Sequence, residues 1–268
     1  MPEHPDSAIA IELKDVVASS GGYEILSGAS VAFPAGACSV VMGAAGSGKS
    51  TLLKVAAGLV VADSGTACFR GTDMRHWNSK DEMAFRAASG FVFQDSALWA
   101  NTSILNNVAM PLRVHKSWMG ESDIAEAVRV LLKRLGYDEG MGIRPAEMSS
   151  GEQKLASIAR ALIHDPAIVF MDDPTSNLDE DAAERVFSLI AELKEKRRTI
   201  IVVANNSELA YRFADRLGVI KAGRMAAFGT YDETVGSAED ALHASLARLR
   251  AKGSRAKSGS EMMQRGDV

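Results

Sequence analysis

The sequence predicts an α/β fold: a parallel sheet with crossover helices, an antiparallel β flank before it, and an α-helical subdomain inserted in its middle. Three observations carry this. Short apolar runs alternate with stretches of helical periodicity. A glycine-rich loop, "GAAGSGKST", stands between an apolar run and a helix pattern. Residues 94–150 are mostly helical in pattern and interrupt the alternation.

In chain order, Ile9–Val17 and Val31–Phe33 form the antiparallel flank. Ala37–Met42, Phe91–Phe93, Ile168–Met171, Thr199–Val203 and Leu217–Ile220 are short and mainly apolar. Parallel strands covered on both faces have that pattern. Ser79 with Glu82 reads as a capping box opening a helix over Lys80–Ala88. Ile124, Val128, Leu131 and Leu135 form one face of a helix over Asp123–Leu135, which Gly136 stops. Two more helices are expected at Glu152–Ile163 and Glu180–Lys196, and a last one at Glu239–Arg250. Residues 1–250 are thus expected to form one domain, with 9–93 and 151–230 as the α/β core. Residues 94–150 are its helical subdomain and 231–250 its C-terminal helix. Residues 251–268 lack apolar periodicity and read as a disordered tail.

Of the 268 residues 47% are hydrophobic and 24% charged, the balance of an ordinary globular chain. The net charge of −4 argues against nucleic acid as the main partner. Apolar runs such as Ile200–Ala204 are far shorter than the roughly 20 residues of a membrane span. The start, "MPEHPDSAIA", is acidic and carries prolines, unlike a secretory signal. Cys38 and Cys68, without a CxxC pair, read as two reduced core cysteines.

The loop Gly43, Ala44, Ala45, Gly46, Ser47, Gly48, Lys49, Ser50 and Thr51 fits G-x-x-x-x-G-K-[ST] and has the required strand before it and helix after it. Its glycines let backbone N–H groups turn inward around phosphate oxygens, and the helix N-terminus adds positive partial charge. Lys49 would reach the β- and γ-phosphates, and the Ser50 hydroxyl would hold magnesium. The fold is therefore expected to be a P-loop NTPase core, with ATP and Mg2+ as its ligands.

Further pieces stand in a fixed order. Gln94 ends "FVFQ"; "MSSGEQKLASIARAL" precedes "AIVFMDDP"; "SNLDE" follows, and "TIIVVANN" closes the set. Order and spacing resemble the ATP-binding subunit of an ABC transporter over residues 9–230. The resemblance implies that Gln94 and Asp172 join Ser50 at magnesium and that Gln94 also senses the membrane partner. It places Ser149, Ser150, Gly151 and Glu152 in the signature that faces the ATP of a second ABC subunit, and Asp179 in the D-loop. Catalysis would fall to Asp173, with Asn205 at the position of a histidine (Asn206 is the other candidate) and Gln94 beside them.

Four positions depart from the family's pattern. Asp173 replaces a glutamate, Asn205 a histidine and Ser150 the first signature glycine. The aromatic that would stack on adenine aligns with Ser20, with Tyr23 nearby as a substitute. One methylene less draws the Asp173 carboxylate back by about 1.5 Å. A misplacement of about 1 Å can lower a rate on the order of 100-fold, so nucleotide binding is expected to survive and hydrolysis to be slow. Within the family, "FQDSALWANTSILNNVAMPLR" resembles the ATPases of bacterial MCE-type lipid transport systems. "PTSNLDE" leans instead toward lipoprotein-release and cell-division complexes. Either implies an integral membrane permease as partner, gripped beside Leu98 and Trp99. It also implies peripheral attachment to the cytoplasmic face of the inner membrane and a homo- or heterodimer of ABC subunits.

Overall fold

The computed structural model describes residues 9–137, 140–205 and 207–236. The expected helix Glu239–Arg250, the tail 251–268 and Asn206 lie outside them.

Two sheets organise the chain. Strands β1 (Ile9–Ser20), β2 (Tyr23–Pro34), β4 (Ser64–Phe69) and β5 (Thr72–Asp73) form an antiparallel sheet in the order β2-β1-β4-β5. The second sheet runs β10-β9-β3-β8-β7-β6. Its members are β3 (Cys38–Met42), β6 (Ser89–Val92), β7 (Ile168–Asp172), β8 (Thr199–Val203), β9 (Arg216–Lys221) and β10 (Arg224–Gly229). All its neighbours pair in parallel except β9 and β10.

The apolar strands divide two cores between their faces, because successive side chains point to opposite sides. Val40, Met42, Val169, Met171, Ile200 and Val202 face one cluster. There they meet α3 (Ile104–His115), α4 (Glu121–Arg134), α5 (Ser150–Leu162), α6 (Glu180–Glu195) and α7 (Ser207–Phe213). Val41, Ile168, Phe170, Ile201 and Val203 face the other, with α1 (Lys49–Ala56), Phe85 of α2 (Ser79–Ala88) and the antiparallel sheet. The last described helix, α8 (Tyr231–Gly236), follows β10.

The flank is larger than the sequence pattern indicates. β2 starts at Tyr23 because Gly21 (φ 59) and Gly22 (φ 82) make a two-residue hairpin turn, and both its positions need positive φ. β4, half-buried along its length, has too little apolar contrast to read as a strand. The capping box of α2 is formed by Asn78 and Asp81, correcting the assignment to Ser79 and Glu82. Ser79 is already helical, whereas the extended Asn78 can turn its side chain onto the N–H groups of Lys80 and Asp81.

The cysteines are free, but only Cys38 belongs to the core; Cys68 on β4 is half-buried. Burial pushes the Cys38 thiol up to about 12. A thiol reagent at pH 8 is therefore expected to titrate one sulfhydryl in the native protein and both after denaturation. Two equivalents at the native rate would contradict this packing.

Candidate functional site

The carboxyl ends of β3, β7 and β8 and the loop after β6 open onto one pocket of about 270 Å³. Ligands of open parallel sheets bind at such strand ends. Ala45, Gly46, Gly48, Lys49, Ser50 and Thr51 line it together with Gln94, Asp172, Asp173 and Asn205. Ile25 and Val203 complete the wall, and neither has a chemical motif that the sequence pattern could flag.

Gly43, Ala44 and Ser47 do not line the pocket and instead shape the loop. A Cβ on Gly43 would sit 2.4 Å from the Ile220 carbonyl oxygen, so only glycine lets β3 pass β9 there. Gly48, at φ 99, turns the chain into α1. The Lys49 ammonium folds back onto the loop, donating to the carbonyls of Gly43 (2.8 Å) and Ala44 (2.9 Å). Burial lowers its pKa, and the nearby Asp173 and Asp172 partly offset this. An anion placed in the loop would supply the countercharge that the two carbonyls lack.

Asp172 ends β7 at 3% exposure, and the Ser50 hydroxyl donates to its Oδ1 at 3.0 Å. Burial lifts its carboxyl above the ordinary aspartate value, against the pull of Ser50 and Lys54. Ser50, Asp172 and Gln94 all line the pocket, and a hydroxyl, a buried carboxylate and an amide oxygen are the hard oxygen donors that suit magnesium.

The Asp173 backbone is tied at both ends. Its N–H extends the sheet to the Val203 carbonyl (2.9 Å), and its own carbonyl accepts from the Ser176 N–H and hydroxyl. It adopts φ 46, a region that aspartate tolerates better than most residues. The Asn205 amide donates to Asp173 Oδ2 at 3.0 Å, so the two residues that the sequence reading marks as a shortened acid and a missing histidine are in contact.

Ser149, Ser150, Gly151, Glu152 and Asp179 do not line this pocket. Ser149 caps α5 in a reciprocal box with Glu152: its hydroxyl donates to Oε2 at 2.6 Å and accepts from the Glu152 N–H. Gly151 packs against the D-loop, where a Cβ would lie 3.1 Å from the Asn177 carbonyl oxygen. Asp179 caps α6 through the Ala182 N–H.

Residues 26–176 match the family model described as ABC transporter. The chain belongs to the ABC transporter family, as an ATP-binding cassette. It is 33% identical over 222 residues to the "Probable ribonucleotide transport ATP-binding protein mkl" of Mycobacterium leprae (strain TN), covering 82% of this chain. The match spans 64% of that relative, so the chain accounts for just under two thirds of its length. It is 35% identical over 203 residues to the "Lipoprotein-releasing system ATP-binding protein LolD" of Legionella pneumophila (strain Paris), covering 75% of this chain and 88% of that one. Among solved structures it resembles a dimeric, post-hydrolysis ATP-binding cassette bound to ADP and Pi. The TM-score is 0.76 at 27% identity, over 82% of this chain and 98% of that one.

The cassette has a second concavity, a groove of about 600 Å³ between the core and the helical segment. Phe91, Phe93, Trp99, Met110, Pro111 and Val114 supply much of its apolar wall. Trp99 is 53% exposed there and is not packed in the interior. Its backbone is fixed by Asn107 (1% exposed), whose side chain bonds both the N–H and the carbonyl of Trp99. That explains the second asparagine of "ILNNVAMPLR". Lys154 and Arg160 of α5, which the sequence reading passed over, hold the loop after β6 through its carbonyls. The available signal was a lysine on an otherwise apolar helix face. Among the described residues no helix is long and apolar enough to cross a membrane.

Proposed function

We propose that the cassette is the ATP-binding subunit of a membrane transporter, hydrolysing MgATP slowly between two ABC subunits to drive a permease for a lipid-type cargo. The observation that carries this is the division of the motifs. Lys49, Ser50, Asp172 and Gln94 share one pocket, whereas the signature residues lie outside it. A second ABC subunit, identical or not, then completes the phosphate cage.

On ATP binding, Lys49 leaves the Gly43 and Ala44 carbonyls for the β- and γ-phosphates, which the loop N–H groups cradle. Ser50, Asp172 and Gln94 would hold magnesium, which when bound would supply the charge that offsets the phosphates. Asp173, oriented by Asn205, takes the proton of the attacking water through a bridging water. Ser149 and the N-terminus of α5 approach the γ-phosphate in the partner's site. Tyr23, 77% exposed, shares a strand face with Ile25 of the pocket wall and stacks on adenine. Residues 9–93 and 151–230 act as the hydrolytic core, and the segment 94–150 presents the permease groove at the inner face of the membrane.

The lipid reading is supported by the Phe93–Arg113 stretch with its exposed Trp99. "PTSNLDE" and the lipoprotein-releasing relative favour a second reading, release of a lipidated protein. Reconstitution with the cognate permease tests both. The isolated cassette is expected to bind MgATP with low turnover, and the permease to raise that turnover. Trp99→Ala should weaken permease binding about 10-fold and leave nucleotide affinity unchanged. No stimulation by the permease, or a Trp99→Ala variant that loses ATP binding, contradicts the proposal. Transfer of a fluorescent phospholipid rather than a lipoprotein separates the two cargoes.

A further inference from the structure

Gln94 lies just beyond β6, on a loop whose backbone is held from outside. Lys154, in the second turn of α5, is 0% exposed. Its ammonium donates to the Phe93 carbonyl at 2.9 Å and to the Gln94 carbonyl at 2.6 Å. Six residues on, Arg160 donates to the carbonyls of Ser96 (3.0 Å) and Ala97 (2.8 Å). Those two residues are held at φ 65 and φ 45. Four carbonyls of one short loop therefore end on two cations of the helix that begins with the signature.

A fully buried lysine needs a reason. A charge taken out of water is costly unless paired, and an apolar side chain of similar volume often packs as well or better. Among the described residues Lys154 bonds no carboxylate; its hydrogen-bond acceptors there are the two main-chain oxygens. Burial lowers its pKa, and the fields of Asp173, Asp172 and Asp95 push the other way. What the ammonium holds is the backbone from which Gln94 reaches the pocket containing Ser50 and Asp172.

We propose that Lys154 is the positioning residue for Gln94, joining the signature helix to the magnesium edge of the nucleotide pocket. This rests on the reading of Gln94 as a magnesium-facing group. Through the same bonds, a shift of α5 against the partner's nucleotide moves Gln94 in its own site. Arg160 and Asn107 carry that loop onward to Trp99 at the permease groove.

The test compares Lys154→Met, Lys154→Gln, Gln94→Ala and the Lys154→Met/Gln94→Ala double variant in the full chain. Three quantities are read: ATP affinity in EDTA, the Mg2+ concentration for half-maximal turnover, and thermal stability. Lys154→Met and Gln94→Ala are both expected to keep wild-type ATP affinity in EDTA and to need about 10-fold more Mg2+. The double variant should need no more than the worse single one, because the two residues act as a unit. Lys154→Gln retains a shorter donor and should lie between wild type and methionine. It carries the measurement if the methionine variant does not fold. A wild-type Mg2+ requirement in both Lys154 variants, or a double variant whose effect is the product of the singles, overturns the inference alone. Unaltered protein that fails to bind ATP overturns it together with the proposed function.

Discussion

Turnover is expected to rise about 100-fold when Asp173→Glu and Asn205→His are introduced together, and far less when Asp173→Glu is made alone. Asp173 falls short of a glutamate by about 1.5 Å, and near 1 Å of misplacement is worth on the order of 100-fold. Lengthening the acid is not enough, because the Asn205 amide is set at hydrogen-bond distance from the shorter carboxylate, 3.0 Å from Oδ2. A glutamate carboxylate would extend past that donor. It would also occupy φ 46, which aspartate tolerates better. Asparagine cannot shuttle a proton, whereas histidine can act as both donor and base. Single-turnover hydrolysis in the permease-bound cassette is the measurement. Equal gains from Asp173→Glu alone and from the pair would show that the contact between them is incidental. No gain from either would show that the aspartate already reaches its water.

Asp172→Asn is expected to abolish turnover, on the order of 10³-fold, while making the nucleotide-free fold more stable. The carboxylate is 3% exposed at the end of β7 and faces the Ser50 hydroxyl, so removing its charge removes the anionic member of the proposed magnesium set. The stability sign follows from linkage. Burial raises the folded pKa of Asp172, so the fold binds its proton more tightly than the unfolded chain does. Its contribution therefore favours folding fully below the ordinary aspartate value of about 3.9 and is lost as pH climbs from there through the raised folded pKa. Above that value the neutral amide is the easier group to bury. The melting temperature of Asp172→Asn should exceed that of wild type by about 2–4 °C at neutral pH, with the gap closing near pH 3. Adding MgATP should reverse the order, because only the wild type gains from the metal. A variant less stable at neutral pH without ligand would mean that Lys49, Lys54 and Lys154 need this charge more than burial opposes it.

Much of the fold is legible in the sequence because both faces of the parallel sheet are covered. Cys38–Met42 and Thr199–Val203 are buried at every position and apolar apart from Ser39 and Thr199, so no choice of face is needed to find them. β4, mostly half-buried, and β2, which mixes exposed, half-buried and buried positions without strict alternation, escape the same reading, because there the pattern depends on what lies across the sheet. The phosphate loop is legible for another reason: its chemistry is mainly backbone, so spacing and glycine specify it locally.

The carboxylates divide along the same line. That two aspartates end an apolar strand is written in "FMDDP". That one is buried on Ser50, 122 residues away in the chain, while the other turns to Asn205, 32 residues away, depends on how α1 and β8 are placed beside β7. Sequence alone determined the nucleotide loop, the alternating core and the family motifs, because each rests on neighbours along the chain or on a period. Tertiary structure alone decided that Lys154 grips Gln94, that Trp99 faces a groove, and that the shortened acid has a shortened partner. Those contacts join residues that only packing brings together, and hydrogen bonds act over about 3 Å of space, whatever the separation along the chain.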